Sequence, residues 1–459
     1  MPPTWPPSVA CRVMVTRPWH SVPRTQGGRM RKVKIVGIAG QVRRAVAVCA
    51  LGALLVAVTA CGDDSANSGS ETDETVKAGT ATDLLGPENP ASGEPVRIGL
   101  VTDGQTDAFD NTDELRAGQA TAEYLNAHKA GIGGRPIEIV TCETGADPAG
   151  ATDCGNRMVE EGVVAVTLSQ STQTQSLWEP LHAAGIPTLI LAGFGEAMQA
   201  DSQSTFLNAN PVATFFGLPV ATAEAEGADK VAFVVIDVPQ AVDIVEADGP
   251  ATMEKAGLEY EVVKVPIGTA DMTVQMQQVV DGGAGVVHVL GNDAFCIAAF
   301  QGLKAVGYEG AITAVTQCVT DATREAMPGE LEGINLLATL AAGATDDPSY
   351  QLYQAVMTTY GEDVADVDNF VALGGYSAVA SLATALEGIS GDITTATVGE
   401  TIKSMAESEI PGAAGATFQC GGSADPKFPA VCTNQWLRAE LDANGEASDY
   451  TVEDSSDIL

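Results

Sequence analysis

Between residues 96 and 315 the chain switches repeatedly from short aliphatic runs to longer helical stretches, and this alternation constrains the fold more than any other feature. Strand signals fall at 96–101, 137–142, 163–168 and 188–192, with helix signals at 113–130, 149–161 and 174–184 between them. A second series starts near Val212. It has strand signals at 230–236, 260–265, 285–290 and 311–315, and helix signals to residue 226 and at 242–255, 272–278 and 294–306. Runs such as Gly285-Val286-Val287-His288-Val289-Leu290 are apolar almost throughout, as strands covered on both faces are. Such strands separated by helices form parallel sheets with crossover helices. Helix signals at 348–360, 369–385 and 397–405 follow, then strand signals at 417–420 and 434–441 and an acidic tail, 446–459, expected to fray. The expected fold class is α/β, two doubly wound parallel-sheet lobes, with a ligand outside the carboxyl ends of the strands.

The amino-terminal part does not belong to that pattern. Residues 1–29 scatter Pro, Trp and Arg without periodicity, so Met30 is the expected start and 1–29 a mis-called extension. Arg31, Lys32, Lys34, Arg43 and Arg44 then precede an uncharged apolar run, residues 45–59. That run is short against the roughly 20 residues a spanning helix needs. A basic region, an apolar core and small residues make a secretory signal over 30–60. Val58-Thr59-Ala60-Cys61 resembles a bacterial lipobox, which implies that Cys61 is diacylated and becomes the first mature residue. An ordinary signal with an incidental Cys, or an uncleaved anchor, would leave the same traces. Arg43-Arg44 leaves the export route open. Residues 61–95, rich in Ser, Thr, Gly, Asp and Glu, are expected to be a disordered acidic tether.

Charge narrows the partners. The chain holds 23 Lys and Arg against 60 Asp and Glu, and nine of the basic residues lie in 1–60, where no acid occurs. The part beyond residue 60 thus carries 14 bases and 60 acids, a formal −46. Nucleic acid and anionic headgroups are poor partners for such a surface. Beyond Cys61 there are six cysteines: Cys142, Cys154, Cys296, Cys318, Cys420 and Cys432. An even count in an exported chain favours disulfides. Their spacing suggests that neighbours pair, although six cysteines allow about 15 connectivities. No metal site is expected, because zinc favours tight pairs such as C-x-x-C.

Several segments together carry a resemblance. They are Arg97 to Thr102, Leu125-Asn126-Ala127 with Gly131 to Glu138, Asp147-Pro148, Gly162 to Val166, and Ala183-Ala184-Gly185-Ile186-Pro187. In order and spacing the chain, over about 96–445, resembles the type I periplasmic binding proteins, specifically the leucine/isoleucine/valine-binding receptors of ABC importers. The resemblance implies three hinge crossings, placed near 208–211, 341–348 and 410–415. Lobe one would be 96–211 with 345–410, and lobe two 212–344 with 411–445. A monomer with a small-molecule solute, an ABC permease partner and no cofactor is expected.

In that family the loop after the third strand holds the ligand's carboxylate, and the matching residue here is Ser171, with Thr172 beside it. A plain helix N-cap would explain the same residues. Ala192-Gly193-Phe194 matches the second ligand loop, but Phe194 stands where the family places a small hydroxyl residue. Across the cleft, Asn292 and Asp293 follow one strand and Gln317 another, with Gln317 aligned to a family acid. Ordinary caps and turns account for these too. Phe109 and Asn111 are further candidates for the upper wall. No Gly-x-Ser-x-Gly, Ser-x-x-Lys or His-Glu-x-x-His occurs, and the three histidines beyond Cys61 lie far apart in sequence. An extracytoplasmic solute receptor, lipid-anchored to the cell membrane, is the expectation. A sensory receptor of the same fold is the alternative, and no enzyme activity is expected.

Overall fold

Two sheets, one parallel throughout and one parallel except for its last two strands, organise the described residues. The computed structural model describes residues 81–459 except 107, 108, 194, 448 and 459, and these lie in one unit spanning Thr75–Leu459. Residues 1–80, with the signal, Cys61 and most of the tether, lie outside the described residues, as does Phe194.

The chain enters through helix α1 (Ala81–Leu85) and strand β1 (Val96–Thr102), followed by α2 (Thr112–His128), β2 (Ile137–Glu143), α3 (Pro148–Glu161) and β3 (Ala165–Leu168). Then come α4 (Thr174–Ala183), β4 (Thr188–Ile190), α5 (Glu196–Gln199) and β5 (Thr205–Leu207). These strands form a five-stranded sheet in the order β2-β1-β3-β4-β5, parallel throughout. Local signals set the helix ends. Asp147 accepts from the N–H groups of Ala149 and Gly150, Pro148 opens α3, and Gly162 closes it at φ 66°.

The second series runs through α6 (Pro211–Glu226), β6 (Lys230–Ile236), α7 (Pro239–Ala247), α8 (Gly249–Ala256), β7 (Glu259–Val265), α9 (Thr273–Asp281) and β8 (Val286–Leu290). It continues with α10 (Asp293–Ala305), β9 (Ala311–Val315), α11 (Asp321–Ala326) and β10 (Asn335–Ala338). These strands repeat the first winding, as β7-β6-β8-β9-β10 within a seven-stranded sheet. Every residue of β8 is buried, including His288, which matches its apolar sequence. The single helix expected over 242–255 is divided between α7 and α8. Pro250 lacks the N–H that a continuous helix would need, and its ring would crowd the preceding turn.

Helices α12 (Pro348–Tyr360), α13 (Phe370–Ala385) and α14 (Thr395–Lys403) pack on the first sheet, with α13 laid along α2. A two-stranded ribbon, β11 (Ser408–Glu409) and β12 (Thr417–Phe418), precedes β13 (Gln435–Glu440) and β14 (Thr451–Asp454), which close the seven-stranded sheet antiparallel. Among the described residues three bridges fix the backbone: Cys142–Cys154, Cys296–Cys318 and Cys420–Cys432.

Three expectations need correction. The tether does not extend to residue 95, because Leu85 is buried and the N–H groups of Asn89 and Ala91 donate to the carbonyls of Ala127 and Asn126. The tail does not fray, since β14 pairs with β13 and Ser455 accepts from the buried Trp436 indole. The third crossing is not at 410–415. Residues 430–432 instead pair with Leu207 at the edge of the first sheet, and the chain passes to the second sheet at Thr433-Asn434. Asn210, between β5 and α6, ties the first crossing to the third by donating to Asp425 and Asn434.

Candidate functional site

The carboxyl ends of both sheets face a shared cavity of about 100 Å³. From the first sheet, the residues after β3 (Ser169, Gln170) and β4 (Leu191, Ala192) line it, with Phe370 from the start of α13. From the second, Val315, Thr316 and Gln317 at the end of β9 and Leu337, Ala338 and Thr339 at the end of β10 line it, with Thr214 and Phe215 from α6. Both sheets reverse direction of winding beside their first strand, the crevice where doubly wound sheets take ligands. The lining mixes hydroxyls and amides with aliphatic groups and two phenyl rings, and none of these residues is charged.

Two buried carboxyl groups support the β3 loop from behind. Asp103, 1% exposed, follows β1. Its Oδ1 accepts from the hydroxyls of Thr144 and Ser171, each at 2.6 Å, and its Oδ2 from the Thr172 N–H at 2.8 Å. Glu114, 3% exposed on α2, accepts from the Ser169 N–H at 2.8 Å, and a 2.7 Å hydrogen bond joins its other oxygen to the Thr102 hydroxyl. Burial pushes the Glu114 carboxyl up to about 8, and Asp103 adds to the rise, outweighing the two hydrogen bonds. Helix α13 closes over this point at two glycines. A Cβ on Gly374 would stand 2.6 Å from Ser169 Oγ, and one on Gly375 would stand 2.0 Å from the Glu114 carbonyl oxygen.

A family model described as periplasmic binding protein matches residues 95–431. The chain belongs to the periplasmic binding proteins. No curated protein matched the sequence. Solved structures share the fold. An ABC transporter substrate-binding protein from Sphaerobacter thermophilus is 19% identical with a TM-score of 0.63, over 79% of this chain and all of that one. The branched-chain amino acid transporter substrate binding protein LivJ from Streptococcus pneumoniae, in complex with isoleucine, is 16% identical with a TM-score of 0.60, over 79% of this chain and all of that one. A solute binding protein of an ABC transporter from R. palustris, in complex with 4-hydroxybenzoate, is 19% identical with a TM-score of 0.62, over 79% and 98%.

Within this periplasmic binding protein fold, the residues singled out from sequence fall into two groups. Ala192 and Gln317 line the cavity, and Gln317 is exposed at its rim. Ser171 and Thr172 are not among the lining residues, because their donors point back to Asp103. Gly193 is buried beneath the loop against Leu207 and Met198. Asn292 caps α10 through the Phe295 N–H, and Asp293 accepts from the Ala294 N–H and the Thr320 hydroxyl, both away from the lining. Phe109 turns back on Thr106, and Asn111 precedes α2 without a side-chain cap; neither lines the cavity.

Sequence reasoning missed Ser169, Gln170, Thr214, Phe215, Thr339 and Phe370. Ser169 and Gln170 stood next to the chosen pair in the same loop, and Phe370 at the head of a helix pattern, but nothing local aimed them inward. The Cys296–Cys318 bridge joins the first turn of α10 to the segment carrying Thr316 and Gln317, so it braces one wall. The histidines are separate structural groups. His128 meets the Gly86 carbonyl and the Tyr360 hydroxyl, and His182 meets Asp201 and Ser204. Buried His288 lies 2.8 Å from the Thr313 hydroxyl, and burial pushes its pKa down to about 3. Among the described residues no group of three His, Cys, Asp or Glu is placed to hold a metal, and no helix is long and apolar enough to cross a membrane.

Proposed function

We propose that this protein is an extracytoplasmic solute receptor that binds a small molecule between its two sheets and delivers it to an ABC permease. The observation that carries the reading is the cavity lined by strand ends of both sheets, so that one ligand would touch both. Closing two lobes on a ligand buries it and presents a different surface to a partner, which is how a hinged receptor reports occupancy. The three crossings would serve as the hinge, with the Asn210–Asn434 hydrogen bond joining the first to the third. Cys61, acylated, would hold the domain at the membrane surface.

The ligand is proposed to be small, with an apolar body and few polar groups, since the lining combines Phe215, Phe370 and Leu191 with hydroxyl and amide side chains. LivJ with isoleucine and the R. palustris protein with 4-hydroxybenzoate have ligands of that general size on the same fold. Binding rather than turnover is proposed. Thermal-shift screening against amino acids, amides, aromatic acids, nucleosides and sugars tests it. A raised transition with a small apolar-bodied compound supports the reading, and stabilisation by sugars or nucleosides alone contradicts it.

A further inference from the structure

Resting on the reading of the cavity as a solute site, we propose that it selects an uncharged solute and rejects carboxylates, amino acids included. The resemblance assigns carboxylate capture to Ser171 and Thr172. Here the Ser171 hydroxyl and the Thr172 N–H both bind Asp103, and the Ser169 N–H binds Glu114. The protein's own carboxyl groups therefore occupy donors that would otherwise meet a ligand's. An anion set against this loop would find those donors engaged, with the buried Asp103 and Glu114 carboxyl groups behind them.

Nothing in the cavity compensates. Among the described residues no Lys, Arg or His lines it, so an anion would give up hydration without gaining a counter-charge. A zwitterion would meet the same deficit at its ammonium, because among the described residues no Asp or Glu lines the cavity and Gln317 stands at the rim. Ser169, Gln170, Gln317 and Thr339 instead supply hydroxyl and amide groups, each able both to donate and to accept. That set suits a carboxamide or alcohol end, with the apolar part against Phe215 and Phe370.

The test compares matched pairs by calorimetry with the full protein at neutral pH: isobutyramide with isobutyrate, isovaleramide with isovalerate, benzamide with benzoate, and leucine alongside. The expected result is an amide bound about tenfold or more tightly than its acid, with no acid and not leucine as the tightest member. An acid or leucine binding tightest overturns the inference while leaving solute binding in place. No binding by any member overturns both. A second arm uses Gln317→Lys at the exposed rim. It should shift the amide-to-acid ratio toward the acid by about tenfold at an unchanged melting temperature. An unchanged ratio would place the discrimination outside the cavity and overturn the assignment.

Discussion

Replacing Glu114 with glutamine isolates the cost of ionising a carboxyl group buried behind the candidate site. The folded protein holds this proton up to about pH 8, whereas the unfolded chain releases it near 4.5. Between those values the folded state binds more protons than the unfolded state, so this group's contribution falls as pH rises from about 4.5 to about 8. The difference, at about 1.4 kcal/mol per pH unit, amounts to on the order of 5 kcal/mol. Glutamine copies the protonated acid. Its Oε1 can accept from the Ser169 N–H and its amide can donate to Thr102. Urea unfolding of wild type and Glu114→Gln at pH 5, 6, 7 and 8, followed by circular dichroism with disulfides intact, reads the effect. The two proteins should be nearly equal at pH 5, and the variant should gain progressively, by up to about 5 kcal/mol at pH 8. Subtracting the curves removes the titrating groups that are not coupled to Glu114. A flat difference, or one that favours wild type more as pH rises, would mean that the folded protein carries Glu114 ionised, and would refute the reasoning.

Three other outcomes follow from the packing. Gly375→Ala drives a methyl into the Glu114 carbonyl where α2 meets α13, and should cost about 2–3 kcal/mol by urea unfolding. Ending the chain before Asp449 removes β14 and the Ser455 acceptor of Trp436, and should lower stability by about 2 kcal/mol or more, whereas a frayed tail would leave the melting temperature unchanged. Replacing Cys296 and Cys318 together with serine should cost about 2–4 kcal/mol and weaken binding of any solute that the screen identifies, because the bridge braces the Gln317 wall. Calorimetry on the refolded variant checks the second effect.

The strands that carry continuous aliphatic runs were legible from sequence to within a residue or two, as β1, β6 and β9 show. Strands β5 and β10 were not, because each is a short run set among polar and turn-forming residues, Ser202 to Ser204 and Asn208 around β5 and Gly333 before β10, and only their neighbours in the sheet make them strands. The same limit applies to the site. Ser171 looked like a ligand contact because its loop opens a helix, but its partner Asp103 lies 68 residues away and is brought to it by the pairing of β1 with β3. Glu114 stands in the first turn of α2, where an acid is ordinary and nothing local marks it out. It becomes a buried carboxyl only because Gly374 and Gly375 let α13 close against α2. Local pattern identified the sheets and the strand ends; which side chains face the cavity depends on packing between distant segments.

The central claim is that the cavity between the sheets is where a solute binds. Ala192→Trp fills it from a partly exposed position whose backbone is held by the Ser169 carbonyl, so the fold should tolerate the change. Calorimetric titration of wild type and Ala192→Trp with the strongest stabilising solute tests the claim most directly. The account predicts binding to wild type and at least a ~100-fold weaker affinity in the variant, at similar melting temperature. Equal affinity in the two proteins would contradict it.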